Sequence, residues 1–379
     1  MRIVYAVSGL LTEHPGLQSK ILGATKVWSG LGHDVHIVVP SQGMMMDARG
    51  GITFRSNGAA FRREKIDYYD RSKSKIRRLI SLRHQYGFLR QMLRRTDPDI
   101  VYTRYTLPLP GVHRNFSIRS PFIVEINSDD SIEYGIKSRA VGSFNRTFRK
   151  SFLARAGGLC FISAEMSQSE AFSWYQGKTT VVSNSIDCAE FPFLEDTGND
   201  DVNLCFIGSP HQSWHGLDKL VTLASSFPLW RFHVIGPDRS ELIQAGDTGL
   251  ENLVCHGYLR GPESRQLVAG MDIGISTLAL HRKHMDEASP LKSRQYLAHG
   301  VPFISAYADT DITASDFQLQ LPNADNNITP NLDRIERFVA QAFRNKDLRY
   351  RARRFAEEKL DISVKETERL NFICSVVRQ

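Results

Sequence analysis

The chain contains the segment Glu287-Ala288-Ser289-Pro290-Leu291-Lys292-Ser293-Arg294-Gln295-Tyr296-Leu297-Ala298-His299-Gly300-Val301-Pro302. Ser289 is a favoured N-cap residue, Pro290 suits the first position of a helix, and Gly300 suits the left-handed residue that follows one. The pattern therefore predicts a short helix with a defined start and end. Strand candidates precede and follow it, which is typical of a βαβ unit.

Short β-branched runs alternate with helical patterns along the whole chain, as in parallel sheets built from βαβ units. The strand candidates are Ile3–Val7, Val35–Val39, Ile100–Thr103, Phe122–Ile126, Leu159–Ser163, Thr180–Val182, Asn203–Ile207, Arg231–Ile235, Leu253–Gly257, Ile273–Ser276 and Pro302–Ser305. A helix is predicted over about 18–31, closed by Gly32, and one long surface helix over about 333–377. We predict an α/β chain of two Rossmann-like domains, residues 1–185 and 186–379, the last helix returning to the first domain.

Length and composition are those of an ordinary soluble protein. The 379 residues can build two domains, each with its own core. The mean hydropathy is −0.29, and no run reaches the ~18 apolar residues of a spanning helix. The five cysteines are widely spaced and form no C-x-x-C pair, so neither a disulfide framework nor a zinc site is indicated. Reduced thiols and a cytoplasmic location are expected.

Basic charge is concentrated in residues 62–95. This stretch has 12 Lys and Arg against three acidic residues, whereas the whole chain has a net charge of +7. An apolar helical stripe is predicted at Leu79, Leu82, Tyr86, Leu89 and Leu93, with Arg83, Arg90 and Arg94 on another face. The stretch is either a solvated helix or a site of attachment to an anionic membrane. Nucleic acid is the weaker candidate, because no aromatic stacking platform accompanies the charge.

The start of the helix after Ser289 carries the most chemical information. Free backbone N–H groups around Leu291 and the helix dipole form a site for an anion such as a diphosphate. Lys292, expected to be exposed, adds a mobile positive charge. Glu287, expected on a loop, can accept hydrogen bonds from sugar hydroxyls, and Gln295 lies within reach of a ribose. An ordinary capped helix remains the alternative.

The segment resembles the E-x7-E region of retaining, family 4-type GT-B glycosyltransferases, in the variant E-x-S-P-L-K-x-x-E-Y-L-A-x-G-x-P. Other stretches resemble the family's motifs in the same order: Gly32-His33-Asp34-Val35 for G-H-x-V, Asn184-Ser185-Ile186-Asp187 for N-G-[IV]-D, Phe206-Ile207-Gly208 with Trp214-His215-Gly216 for the strand and K-G loop, and Leu253 to Asp272 for the G-x-[VL] stretch that ends in Asp. The resemblance covers nearly the whole chain.

The resemblance implies two domains that face each other across a cleft, with a nucleotide sugar on the second and a glycan or lipid-linked acceptor on the first. It implies transfer with retention, in cell-envelope or exopolysaccharide biosynthesis, with no cofactor and no metal. The residues implied are Glu287 and Lys292 for catalysis; Gly208, Ser209, His215, Gly216, Ser289, Pro290, Leu291 and Gln295 for the donor; and Gly16, Arg104, Glu125 and Asn127 for the acceptor. The last three also follow strands at the sheet edge where α/β proteins bind ligands.

Gln295 stands where the family has its second glutamate, and Ser209 and His215 stand where it has a basic pair. A partner subunit without turnover, or a nucleotide-sugar epimerase or hydrolase, therefore remains an alternative. An NAD-dependent oxidoreductase is disfavoured, because residues 7–12 lack the G-x-G-x-x-G fingerprint. For Asp129-Asp130 a solvated loop is favoured over a metal site, since no second carboxylate pair stands at suitable spacing.

Overall fold

The computed structural model describes residues 1–7, 15–56, 75–107, 120–130, 134–135, 138–259, 261–313 and 315–378, with side chains described except at 15–16 and 75–82. The chain divides into two compact units. Unit 1 comprises Met1–Val182 and Glu366–Gln379, and unit 2 comprises Ser183–Lys365. The sequence prediction divided the chain after residue 185. Within the described ranges, no helix is both long and apolar enough to span a bilayer.

Unit 1 is built on an eight-stranded sheet in the order β4-β3-β2-β1-β5-β6-β7-β8. The strands are β1 Arg2–Ala6, β2 Asp34–Val39, β3 Met44–Asp47, β4 Ile52–Arg55, β5 Ile100–Arg104, β6 Phe122–Ile126, β7 Gly158–Phe161 and β8 Lys178–Val181, and the helices are α1 Pro15–Gly30, α2 Lys75–Thr96, α3 Arg139–Leu153 and α4 Ala164–Gln168. All neighbours pair in parallel except β3, which is antiparallel to β2 and to β4. Strand β3 was not predicted, because its Met-Met-Met-Asp sequence has no β-branched residue.

Unit 2 is built on a six-stranded parallel sheet in the order β11-β10-β9-β12-β14-β16, with β13 and β15 paired separately. The strands are β9 Asn203–Ile207, β10 Arg231–Ile235, β11 Leu253–Gly257, β12 Ile273–Ile275, β13 Glu287–Ala288, β14 Phe303–Ser305, β15 Ala308–Asp309 and β16 Gln318–Gln320, and the helices are α5 Leu217–Ser226, α6 Arg239–Gln244, α7 Gly261–Ala269, α8 Leu291–Ala298, α9 Leu332–Ala342 and α10 Lys346–Phe355. Counted within the large sheet, this is the Rossmann order 3-2-1-4-5-6.

The predicted single helix over 333–377 is wrong. Helices α9 and α10 are separate, because Arg344 between them has a φ of +55°. A π-helical turn at Ala356–Leu360 follows, and then helix α11, Ile362–Val377. This last helix does not lie on the surface with its apolar residues exposed: Leu370, Ile373 and Val376 are buried in the core of unit 1.

Candidate functional site

Helix α8 begins without a side-chain cap. Its N-cap position is Pro290, in extended conformation, so the prediction that Ser289 caps the helix is wrong. Ser289 is buried, and its hydroxyl and carbonyl oxygens accept hydrogen bonds from Asn184 at 3.3 and 2.8 Å. Among described residues, no acceptor pairs with the N–H groups of Leu291 and Lys292. These two amides therefore remain available to an anion at the helix start.

Lys292 is buried rather than exposed, with 8% of its surface accessible. Its Nζ lies 4.1 Å from the centroid of the Phe206 ring and 3.3 Å from Nδ1 of His215. Among described residues no carboxylate pairs with it. Burial lowers the pKa of the Lys292 ammonium to about 7. A buried ammonium without a counter-charge is the arrangement that an anionic ligand would stabilise.

The imidazole of His215 lies on the turn that follows β9. Gly216 closes this turn with a φ of +74°, and the amide of Leu278 donates to the His215 carbonyl at 3.2 Å. A Cβ on Gly208 would lie 2.9 Å from the His215 ring, so the glycine allows the ring to pack there. Burial, with Lys292 adding repulsion, holds the pKa of His215 far below its ordinary value. The ring is therefore neutral at physiological pH.

The loops after β9 and β10 touch through their backbones. Gly236 has a φ of +106°, and a Cβ there would lie 1.8 Å from the carbonyl oxygen of Gly208. Ser209, in the same loop as Gly208, is exposed. The site residues Gly208, His215 and Lys292 are thus brought together at the carboxyl edge of the sheet, where α/β proteins bind ligands.

Tyr296 fixes α8 to this edge of the sheet. Its hydroxyl accepts the Ile207 amide at 3.0 Å and lies 3.0 Å from the carbonyl oxygens of Cys205 and Ile275. A Cβ on Gly274 would lie 2.5 Å from the tyrosine ring, so the glycine makes room for it. The E-Y-L-A motif contains this tyrosine, but the motif does not show which atoms its hydroxyl bonds.

Glu287 lies in strand β13 and not on a loop, so its predicted location is wrong. It pairs with Ala308, and the Ala308 amide donates to the carbonyl of Asp286 at 2.9 Å. The two-residue strand was too short to be predicted from periodicity. Glu287 and Gln295 are both half-buried. No hydrogen bond or ion pair joins Glu287 to Lys292.

Arg294 is a site-supporting residue that sequence reasoning missed. It is fully buried and pairs with Asp309 and, at 2.6 Å, with Asp311. Asp311 also pairs with Lys365 at 2.7 Å. The network ties α8 to β15, the partner strand of Glu287. Within a charged helical segment, Arg294 gave no signal that distinguished it from a surface arginine.

Glu125 was predicted to contact the acceptor, but in unit 1 it is buried, with 1% of its surface accessible. Lys20 donates to it at 2.7 Å, Tyr102 at 2.7 Å and Arg369 at 3.0 Å. These cations hold the pKa of Glu125 well below its ordinary value against the effect of burial. Both carboxylate oxygens are engaged, which makes Glu125 a core ion-pair residue and corrects the sequence expectation.

The other three predicted acceptor residues differ in their surroundings. Arg104 is the last residue of β5, and its side chain is 30% exposed. Asn127 follows β6 and is half-buried. Gly16 lies in the first turn of α1, where the side chains are outside the described residues. Arg104 and Asn127 thus end neighbouring strands of one sheet, as predicted from the strand positions.

Asp130 does not lie on a solvated loop as predicted. It is 3% exposed, and its carboxylate accepts from Arg149 Nε at 2.8 Å and from the Asn145 amide group. Burial raises the pKa of Asp130. The described residues contain no group of three or more His, Cys, Asp or Glu side chains that could hold a metal ion.

The basic stretch 62–95 is described only in part. Residues 62–74 and the side chains of 75–82, including Leu79 and Leu82, lie outside the described residues. Farther along α2, Leu89 and Leu93 are buried at 2% and 5% exposure. Arg83, Arg90 and Arg94 are exposed and Tyr86 is half-buried. The predicted helix with an apolar face is present, and the described part of that face packs inside unit 1.

Residues 16–185 match the sequence model of a family described as glycosyl transferase 4-like domain. No curated protein sequence matches the chain. This part of the chain is therefore similar to a glycosyl transferase 4-like domain.

Solved structures extend the similarity to the whole chain. Sucrose-phosphate synthase from Thermosynechococcus elongatus is 12% identical with a TM-score of 0.74, covering 99% of each chain. A glycosyltransferase from Rickettsia africae is 14% identical with a TM-score of 0.67, covering 100% of this chain and 99% of that one. A structure of trehalose-6-phosphate from E. coli bound with UDP-2-fluoro glucose is 13% identical with a TM-score of 0.64, covering 100% of this chain and 99% of that one. The GT-B fold predicted from the sequence is confirmed, and with the matched domain the chain is a glycosyltransferase-type enzyme.

Proposed function

We propose that this GT-B enzyme transfers a sugar from a nucleoside-diphosphate sugar, held by unit 2, to a glycan or lipid-linked acceptor, held by unit 1, with retention of anomeric configuration. Its product would belong to cell-envelope or exopolysaccharide synthesis. The enzyme would work in the cytoplasm, consistent with its five free cysteines.

The uncompensated Lys292 carries the donor proposal. Its ammonium is buried beside His215 and the Phe206 ring. It belongs to a helix whose first two amides have no acceptor among the described residues. A diphosphate would supply the missing negative charge and would accept hydrogen bonds from the amides. If the segment were only an ordinary capped helix, no negative group would stabilise the charge of the buried Lys292.

The proposed step breaks the bond between the anomeric carbon and the diphosphate oxygen, and the bonding electrons leave with the diphosphate. The acceptor hydroxyl forms the new bond to the anomeric carbon and gives its proton to the leaving diphosphate. Lys292 and the helix-start amides stabilise the charge that develops on the leaving diphosphate. Glu287 orients the donor-sugar hydroxyls and Gln295 contacts the ribose. Fixed protein charges act on the diphosphate, so the proposed reaction requires no metal.

Calorimetry with UDP, GDP and TDP tests the donor site in the full chain. We expect one of them to bind, and Lys292→Met to weaken that binding by about one to two orders of magnitude, because a charge-assisted contact is lost. Lys359→Met, at an exposed position in unit 2, is the matched control and should leave the affinity unchanged. Equal affinities of the wild type and Lys292→Met would refute the assignment of Lys292.

Product analysis separates transfer from the alternatives. Incubation with a nucleotide sugar alone would reveal epimerisation or hydrolysis, and donor binding without transfer to any acceptor would favour the partner-subunit alternative that Gln295 raises. With an acceptor present, NMR of the new glycosidic bond determines whether the donor configuration is retained. An inverted product would contradict the proposed stereochemistry.

A peripheral position on an anionic membrane is part of the proposal for a lipid-linked acceptor. Support comes from the exposed Arg83, Arg90 and Arg94 of α2. Since the apolar Leu89 and Leu93 are buried in unit 1, the described part of this helix would attach through its charges.

A further inference from the structure

Arg104 in unit 1 is only loosely ion-paired among the described residues. Its side chain makes no hydrogen bond to a described residue, and its nearest acidic partner is Glu125, with Nε 3.7 Å from Oε1. That separation exceeds hydrogen-bonding distance. The guanidinium therefore has its planar set of N–H donors available.

Glu125 cannot serve as a full counter-charge for Arg104. Its Oε1 accepts from Lys20 at 2.7 Å, and its Oε2 accepts from Tyr102 and Arg369 at 2.7 and 3.0 Å. Lys20 and Arg369 are thus closer to the carboxylate than Arg104 is, and both of its oxygens are engaged. Arg104 therefore lies beside a carboxylate that already has closer partners, and 30% of its side chain is exposed to solvent.

Arg104 lies at the carboxyl edge of the sheet, where open α/β sheets bind ligands. It ends β5 at the carboxyl edge of the parallel strands, next to the end of β6, which Asn127 follows. Strand β1 pairs in parallel with β5 on the side opposite β6, and helix α1 follows β1 in the sequence. The N-terminus of α1 therefore lies at the same edge and adds positive potential there.

We propose that Arg104 binds a phosphate group of the acceptor, with the Asn127 amide as a second donor, so that the acceptor is a phosphorylated sugar or a lipid phosphate. This inference rests on the proposed function, which places the acceptor on unit 1. A guanidinium matches phosphate with two parallel N–H···O hydrogen bonds. A neutral acceptor would leave Arg104 with only Glu125 as a counter-charge, which Lys20 and Arg369 bond more closely.

Binding of matched ligand pairs tests the proposal. The full chain carrying Lys292→Met, which removes the donor-site ammonium, is titrated with glucose 6-phosphate and glucose, and in detergent with farnesyl phosphate and farnesol. In at least one pair the phosphate should bind about tenfold or more tightly than its neutral counterpart. The pair that shows the preference distinguishes a soluble sugar phosphate from a lipid phosphate.

Variants then assign the preference to Arg104. Adding Arg104→Gln should reduce the phosphate preference to about threefold or less, whereas Arg155→Gln, at an exposed position between α3 and β7, should preserve it. Equal binding of phosphate and neutral ligands in both pairs, or a preference that survives Arg104→Gln, would overturn the proposal. Wild-type binding of a nucleoside diphosphate is measured in parallel. Its absence would count against the proposed function. A melting temperature of unit 1 that is unchanged in Arg104→Gln shows that this variant is folded.

Discussion

Lys292, the residue that we propose binds the donor diphosphate, has a structural disadvantage. Its pKa is lowered by burial from 10.5 to about 7, so between these pH values the folded chain binds fewer protons than the unfolded chain. The free energy of unfolding therefore rises with pH through this window, and at pH 7 and below the buried charge is fully unfavourable. Residues that bind ligands often lower stability in this way.

We accordingly expect Lys292→Met to stabilise the chain while it weakens donor binding. The gain should be on the order of a few kcal/mol at pH 6 and should shrink as pH rises from 7 towards 10.5. Chemical denaturation of both proteins across this range measures it. A variant less stable than the wild type at pH 6 would show that the ammonium is a structural group after all.

Glu287 is the other residue on which transfer should depend. Glu287→Gln keeps the size of the side chain and the β13 pairing but removes the charge. Turnover should fall on the order of 10²-fold with normal folding, which is typical of losing one electrostatic contact to the transition state. Gln295→Glu, which restores the family pattern, should preserve or increase turnover. Transfer by Glu287→Gln at the wild-type rate would refute the proposed donor-sugar site.

At the scale of elements, the burial of apolar side chains in helix α2 limits how this helix can bind a membrane. Among its described side chains, Leu89 and Leu93 are buried in unit 1, whereas Arg83, Arg90 and Arg94 are exposed. We expect co-sedimentation with anionic vesicles at low ionic strength, none with neutral vesicles, and loss of binding at about 0.5 M salt, because exposed charges are screened there.

The variant that replaces Arg83, Arg90 and Arg94 by glutamine should reduce vesicle binding. The matched control replaces the exposed Arg351, Arg354 and Lys359 of unit 2 and should bind as the wild type does. Binding that resists salt, or that extends to neutral vesicles, would contradict electrostatic attachment.

At the scale of the whole molecule, unit 1 is completed by the C-terminal end of the chain. Arg369 pairs with Glu125 across 244 positions of sequence, and Ile373 is fully buried in the same unit. A chain ending at Lys365 leaves Glu125 without this partner and exposes part of the core. Breaking a buried ion pair by removing one side typically costs about 3–5 kcal/mol.

We expect this truncation to lower the melting temperature of unit 1 or to unfold it, while unit 2 still binds the nucleoside diphosphate. Calorimetric melting followed by titration would show this, with a chain ending at Val377 as the control. A truncated protein that melts like the wild type would mean that residues 366–377 contribute little to unit 1.

The sequence by itself determined the two Rossmann-like sheets and several strand bounds, including Asn203–Ile207, Arg231–Ile235 and Leu253–Gly257. These signals are local, because a β-branched run between turn residues predicts a strand whatever its tertiary neighbours are. The left-handed conformations of Gly32 and Gly300 were also predicted from local sequence, because each glycine directly follows a predicted helix.

Only the tertiary structure decided how the chemically important side chains are used. The Ser289 hydroxyl accepts from Asn184, 105 positions away, instead of capping its own helix. Lys292 is buried against Phe206, and Glu125 forms ion pairs with Lys20 and Arg369. Burial and ion pairing depend on partners that are remote in sequence and become neighbours only when strands and helices pack. A motif therefore identifies these residues, whereas their charge state and availability are set by the fold.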